Sequence, residues 1–255
     1  MRVLVHPSPQ LEAPGPFIEQ LKDPARGVAT DLERESDVLA ITFAGIRGEV
    51  GIPSYEFLAM TEVSNVKRVF LRDHERSWYH LGVRGLAASV EELIGTLRQL
   101  AERCGARRVV CIGNSAGGYA ALLYGALIPA DAVLAFSPRS FFDWPGRLRH
   151  GDLRYLRDAV RLALRGLPDR RYRDLLRVGS AARSDVHYST ASRLDALHAL
   201  RLAALPGVVL HPHPEGGHQL VRILRDRGEL APVVAEALTP SGAGAVTSGS
   251  GRRTG

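Results

Sequence analysis

Val109-Val110-Cys111-Ile112-Gly113-Asn114-Ser115-Ala116-Gly117-Gly118 is the stretch around which the rest of the chain is organised. It begins as an apolar run, breaks at Gly113, and passes through Ser115 into the helix-forming residues Tyr119 to Leu127. That order is strand, tight turn, helix. Gly-x-Ser-x-Gly in this setting is a nucleophile elbow, with the serine at the apex of a strained bend and its hydroxyl turned away from the backbone. Gly113 and Gly117 suit the bend, because strand and helix run so close there that a Cβ at either position would collide. The Ala116 N–H then falls at a helix N-terminus, where it can stabilise an oxyanion.

Strands and helices alternate on either side of this stretch. Before it, Leu86, Val90, Leu93, Ile94, Leu97, Leu100 and Ala101 recur at three- and four-residue steps, predicting an amphipathic helix packed on a sheet and ended by Gly105. Val66 to Leu71 and Val38 to Phe43 read as strands, the latter followed by the loop Ala44-Gly45-Ile46-Arg47-Gly48. Tyr55 to Glu62 suits a helix, Phe17 to Leu21 a helical turn, and Arg2 to Val5 a short first strand. Beyond the elbow come a strand at Ala132 to Phe136, a long interruption from Arg139 to Arg183, and a strand at Val186-His187-Tyr188. A helix at Leu194 to Leu205, a strand at Val208 to His211, and helices at Gln219 to Arg227 and Glu229 to Leu238 follow. From Pro240 the Ser/Gly/Ala composition without apolar period predicts a disordered tail. The alternation predicts an α/β fold, a mainly parallel sheet with helices on both faces.

Composition narrows the function classes. At 255 residues and 45% hydrophobic the chain can bury a sizeable core. It has no apolar run of about 18 residues to span a membrane, and Met-Arg-Val-Leu-Val-His-Pro is too short for a signal peptide. Cys104 and Cys111 are the only cysteines, which argues against a disulfide framework and for the cytoplasm. The net charge of +6 is almost wholly arginine, since Lys22 and Lys67 are the only lysines. No helix-turn-helix, zinc-finger or RNA-binding signature accompanies it, so nucleic acid is not an expected partner. His211-Pro212-His213 lacks the wider ligand set of a zinc site. His74, His80, His150, His187 and His198 read as surface or packing residues.

From residue 38 to 238 the chain resembles the α/β-hydrolase superfamily, whose reactive groups follow the chain order nucleophile, acid, histidine. The resemblance implies that Ser115 is the nucleophile. His218, in Pro214-Glu215-Gly216-Gly217-His218, matches the histidine after the last strand and would be its base. Asp195 follows a strand and precedes His218 by a spacing usual for the superfamily, with Asp143 as the alternative acid. Asp185 lies at the wrong end of its strand. The loop after Phe43 would supply a second oxyanion donor, the N–H of Ile46 or Gly45, although Ala44 stands where the superfamily commonly has the histidine of His-Gly. No metal or organic cofactor is implied.

The segment 139–183 falls where α/β hydrolases commonly carry a helical cap, dividing the chain into a core (1–138 and 184–239), a cap, and a tail (240–255). Within it Leu153, Leu156, Val160, Ala163 and Leu167 predict an amphipathic helix ended by Pro168. Arginines crowd the cap between Arg147 and Arg177, against Asp152, Asp158, Asp169 and Asp174. They read either as a solvated face or as a basic rim for a small acyl substrate carried on coenzyme A or an acyl carrier protein. Asn114, Trp78, Phe141, Phe142 and Trp144 are candidate substrate-binding residues, the aromatics serving equally well as packing. The expected function is a serine hydrolase acting on an ester or thioester. Its rivals are an acyltransferase using the same acyl-enzyme and a non-catalytic hydrolase-like binding protein in a biosynthetic or export complex.

Overall fold

The computed structural model describes residues 16–46, 57–166 and 169–239. In chain order these form α1 (Phe17–Lys22), β1 (Val28–Asp31), β2 (Val38–Phe43), α2 (Leu58–Val63), β3 (Lys67–Leu71), α3 (Val90–Arg103) and β4 (Arg108–Asn114). Then come α4 (Ala116–Leu127), β5 (Ala132–Phe136), α5 (Trp144–His150) and α6 (Leu156–Leu164), and two 3-10 turns at Arg170–Tyr172 and Leu175–Arg177. The chain closes with β6 (Ser184–Ser189), α7 (Arg193–Leu202), β7 (Val208–His213), a 3-10 turn at Gly217–Gln219, α8 (Leu220–Asp226) and α9 (Leu230–Leu238). The expected strand at 2–5 and the tail from 240 lie outside the described residues, as do Tyr55, Leu167 and Pro168.

β2 reads as an unbroken apolar run because both its faces are covered. Leu39, Ile41 and Phe43 enter one core with Leu93 and Leu97 of α3, Tyr119 and Leu123 of α4, and Leu202 of α7. Val38 and Ala40 face the opposite core, with Leu220 and Leu224 of α8 and Val234 of α9. The sheet order is β1-β3-β2-β4-β5-β6-β7. Its pairs are parallel except β1 on β3. None of the helices among the described residues is long and apolar enough to cross a membrane.

Two differences from the sequence reading have physical causes. β1, four residues ending in Asp31, is too short for a periodic signal, and α1 covers its outer rim. Gln20 accepts from the Thr30 N–H through Oε1 (2.9 Å) and donates to the Thr30 carbonyl through Nε2 (3.3 Å), as a neighbouring strand would. In α6 the inward face is Asp158, Ala159 and Leu162. The expected stripe points outward, with Leu156 and Val160 each 40% exposed, and Leu164 beside it is 83% exposed. Leu153 is not on the helix at all, since Tyr155 at φ 55° precedes its first turn. Asp158 turns inward to meet Arg76 at 3.2 Å, which fixes the helix by charge as much as by apolar burial.

Residues 139–183 share the main core. Phe142, Leu162, Tyr172 and Leu175 belong to the same buried cluster as the sheet. The Tyr119 hydroxyl of α4 donates to the Tyr172 carbonyl, and Arg201 of α7 clasps Asp174 with two bonds of 2.7 and 2.6 Å.

Candidate active site

The geometry of the elbow begins with what its glycines exclude. A Cβ on Gly113 would lie 2.1 Å from the Gly117 carbonyl oxygen, and one on Gly117 would lie 2.0 Å from that of Phe43. So close a passage of β4, α4 and the end of β2 forces Ser115 to φ 55° and ψ −111°, where non-glycine residues are rare. Its N–H is fixed to the Phe136 carbonyl on β5 at 2.9 Å.

His218 arrives from the other side of the sheet. Gly216 at φ 93° and Gly217 at φ 51° turn the chain after β7, and the Gly217 N–H donates to Ser189 Oγ at the end of β6 (3.1 Å). The turn sets His218 Nε2 2.9 Å from Ser115 Oγ. His218 Nδ1 lies 3.1 Å from each oxygen of Asp195. A carboxylate at Nδ1 fixes the proton there and leaves the Nε2 lone pair towards the serine. Asp195 is fully buried in the first turn of α7, its N–H bound to the Ser192 cap at 3.3 Å. Burial alone would raise its pKa, but the bonds and charges of His218 and Arg154 outweigh that and hold the carboxyl below its ordinary range.

Asp143 does not take part. It stands at the N-cap position of α5 without a side-chain bond to the helix, while the His218 ring faces Asp195. Asp185 is engaged by Arg183 at 2.7 Å and His211 at 2.8 Å.

Ala116 is the first residue of α4, so its N–H has no partner within the helix. Gly45 and Ile46 follow the end of β2, and a Cβ on Gly45 would meet the Asn114 carbonyl oxygen at 3.4 Å, which places this loop against the elbow. Asn114 ends β4 beside Ser115, in register with Phe136. The candidate aromatics are mostly interior: Trp78, Phe141 and Phe142 are 0%, 1% and 6% exposed. Trp78 stacks on Phe142 with centroids 6.1 Å apart, and Phe141 lies 4.6 Å from the His198 ring. These three are packing between cap and sheet, with too little free surface to hold a ligand in this conformation. Trp144 keeps partial exposure.

A second group of residues, marked by no motif, lies behind Asp195. Arg154, on the cap, donates through Nη1 to Asp195 Oδ1 at 2.6 Å. Its Nε and Nη2 hold the two oxygens of Asp152 at 3.0 and 3.1 Å. Asp152, fully buried, also accepts from His198 Nε2 at 2.9 Å. His198 Nδ1 in turn accepts from the Ser140 N–H at 3.1 Å and lies 3.0 Å from its hydroxyl. Much of the arginine-rich cap is internally paired: Arg147 is buried, Arg161 meets Asp158, Arg165 meets Glu75, and Arg171 meets Asp169 and Glu91.

Below β5 to β7, His187 stacks on Phe136 and on His211, with centroids 4.9 and 4.3 Å apart. Burial, reinforced by the charges of His211 and His213, pushes its pKa down to about 3. Among the described residues no group of three or more His, Cys, Asp or Glu is placed to hold a metal ion.

No family model matches the chain, and no curated protein matches it. Solved structures do. An α/β serine hydrolase without a lid from Xanthomonas campestris is 18% identical, with 84% of this chain and 89% of that chain covered and a TM-score of 0.51. The capsule O-acetyltransferase of Neisseria meningitidis serogroup A is 14% identical over 81% of this chain and 90% of that one, with a TM-score of 0.56. The HSL-homolog EstE7 from a metagenome library is 13% identical over 88% and 91%, also with a TM-score of 0.56. Likeness at such identities is likeness of architecture. The chain has the α/β-hydrolase fold.

Proposed function

We propose that this protein is a serine hydrolase that cleaves an ester or thioester through an acyl-enzyme on Ser115. The observation that carries this reading is the 2.9 Å contact from Ser115 Oγ to His218 Nε2, backed by Asp195 at Nδ1. In the proposed reaction His218 takes the hydroxyl proton as Ser115 Oγ attacks the acyl carbon. The N–H of Ala116 and that of Ile46 or Gly45 hold the oxyanion, a contribution on the order of 3 kcal/mol per donor in comparable sites. The tetrahedral species collapses, and His218 returns the proton to the leaving alcohol or thiol. Water, deprotonated by the same histidine, then releases the acid and restores Ser115. Asp195 stabilises the imidazolium in both halves without itself becoming protonated.

A second reading, transfer of the acyl group to a hydroxyl acceptor in place of water, is favoured by the likeness to the capsule O-acetyltransferase. The substrate would be a small acyl compound, and a donor on coenzyme A or an acyl carrier protein would meet exposed cap arginines that lack an ion pair among the described residues, Arg149, Arg157, Arg170 and Arg177. Unbridged Cys104 and Cys111 suit a cytoplasmic setting.

Labelling with a fluorophosphonate tests the nucleophile. Wild type and Asp143→Asn should react, Ser115→Ala should not, and His218→Ala should react slowly. An unreactive wild type beside a reactive control hydrolase would favour the binding-protein alternative. Product analysis with and without an alcohol acceptor then separates hydrolysis from transfer.

A further inference from the structure

We propose that Arg154 is a positioning residue that sets the pH range in which His218 can act, by drawing part of the Asp195 charge towards the cap. This rests on the acyl-enzyme reading above. Asp195 has two charged neighbours on opposite sides, His218 on the turn after β7 and Arg154 on the cap. His218 faces Asp195 on one side and the Ser115 hydroxyl on the other. An acid bound to histidine alone would lend its whole charge to the imidazolium. Here an arginine 2.6 Å away competes for the same Oδ1.

Arg154 cannot drift from this contact. Asp152 grips it through two bonds, and His198 and Arg139 hold Asp152 from behind at 2.9 and 3.4 Å. The Arg154 carbonyl accepts from Arg139 Nη2 at 3.1 Å and from Arg147 Nη2 at 2.7 Å. Its guanidinium therefore bridges two buried carboxylates, and neither faces bulk water. The sign follows. A cation beside Asp195 opposes a second positive charge on the far side of the same carboxylate. Loss of the cation should move the acidic limb of the rate profile upward.

The test is the rate of fluorophosphonate labelling from pH 4 to 9 for wild type, Arg154→Gln and Arg154→Lys. The glutamine variant should shift the acidic limb up by about one pH unit, and the lysine variant should keep it near the wild-type position. A residue that merely strapped the cap to the core would lower the rate or the stability while leaving the limb where it was. That result, in labelled and folded Arg154→Gln, overturns the proposal and leaves the Ser115 reading intact. A wild type that never labels overturns both. Should Arg154→Gln fail to fold, as judged by circular dichroism, Asp152→Asn is read instead: it leaves the Arg154 charge without its second carboxylate, so the acidic limb should move down, and an unmoved limb there is equally fatal.

Discussion

Ser115, His218 and Asp195 lie on one side of Arg154, and Ser140, His198 and Asp152 repeat the same residue types on the other. The distances nearly match: the serine oxygens lie 2.9 and 3.0 Å from their imidazoles. Wiring and exposure separate the two. His218 turns Nδ1 to its acid and leaves Nε2 to the serine, whereas His198 turns Nε2 to its acid and its Nδ1 faces the Ser140 backbone N–H as well as the hydroxyl. A lone pair occupied by a backbone donor is poorly placed to take a hydroxyl proton. Ser140 and His198 are fully buried, while the His218 side chain is 33% exposed and Ser115 stands on a strained elbow at the head of α4. Residue types and hydrogen-bond lengths do not distinguish a reactive group from a structural one. The backbone turn that presents the serine does, together with the partial exposure of its histidine.

The acids give the sharpest way to break this contrast. Asp195→Asn should slow labelling about 10⁴-fold, as loss of a tautomer-fixing acid does, and the protein should stay folded. Asp152→Asn should act on stability instead, by roughly 3 kcal/mol or more, since it strips a buried anion from Arg139, Arg154 and His198. Urea midpoints and labelling rates at pH 8, compared on the folded fraction, separate the two. Equal effects of both substitutions on rate would sink the distinction.

Acidification should tell on the sealed cluster. Burial holds His198 below the ordinary histidine range, with Asp152 only partly opposing it. His80, buried against Tyr119 and Phe142, is held down to about 3. An unfolded chain takes up these protons near pH 6.5 and the folded one does not, so stability is full above that pH and falls as pH drops below it. Each such histidine adds about 1.4 kcal/mol per pH unit, and the urea midpoint at pH 5 should lie well below that at pH 7. In His80→Phe the slope should be shallower; an unchanged slope would show that His80 takes up its proton equally in both states.

Ser140→Ala should have the smallest effect, costing about 1 kcal/mol. Its backbone N–H still reaches His198, and labelling of Ser115 should stay within about twofold of wild type. A tenfold loss would mean that the two clusters work as one.

How much of this could be read from the chain alone depends on sequence distance. β2 and β4 announce themselves as apolar runs and α3 by its period, and Ser115, Asp195 and His218 stand out by motif, order and neighbouring elements. Arg154 is invisible to such a reading because its meaning lies in Asp195, 41 residues away. The same holds for His198, whose partners Asp152 and Ser140 are 46 and 58 residues distant. Apolar period misleads at α6, where an ion pair from Asp158 turns the helix. Trp78 and Phe142, which the sequence leaves open to packing or ligand contact, lie in the interior.

β7 forms the far rim of the sheet. The carbonyls of Gly207 and His213 point to β6, accepting from Ser184 at 2.9 Å and Thr190 at 2.8 Å. The alternate positions Val208, Leu210 and Pro212 therefore face outward. The Val208 N–H is already taken by the Leu205 carbonyl at 3.4 Å, and proline has none to offer. Leu210 is left as the lone outward donor along this strand. So bare a rim is a poor template for an eighth strand, and crowded copies of the chain have little to pair with along that side.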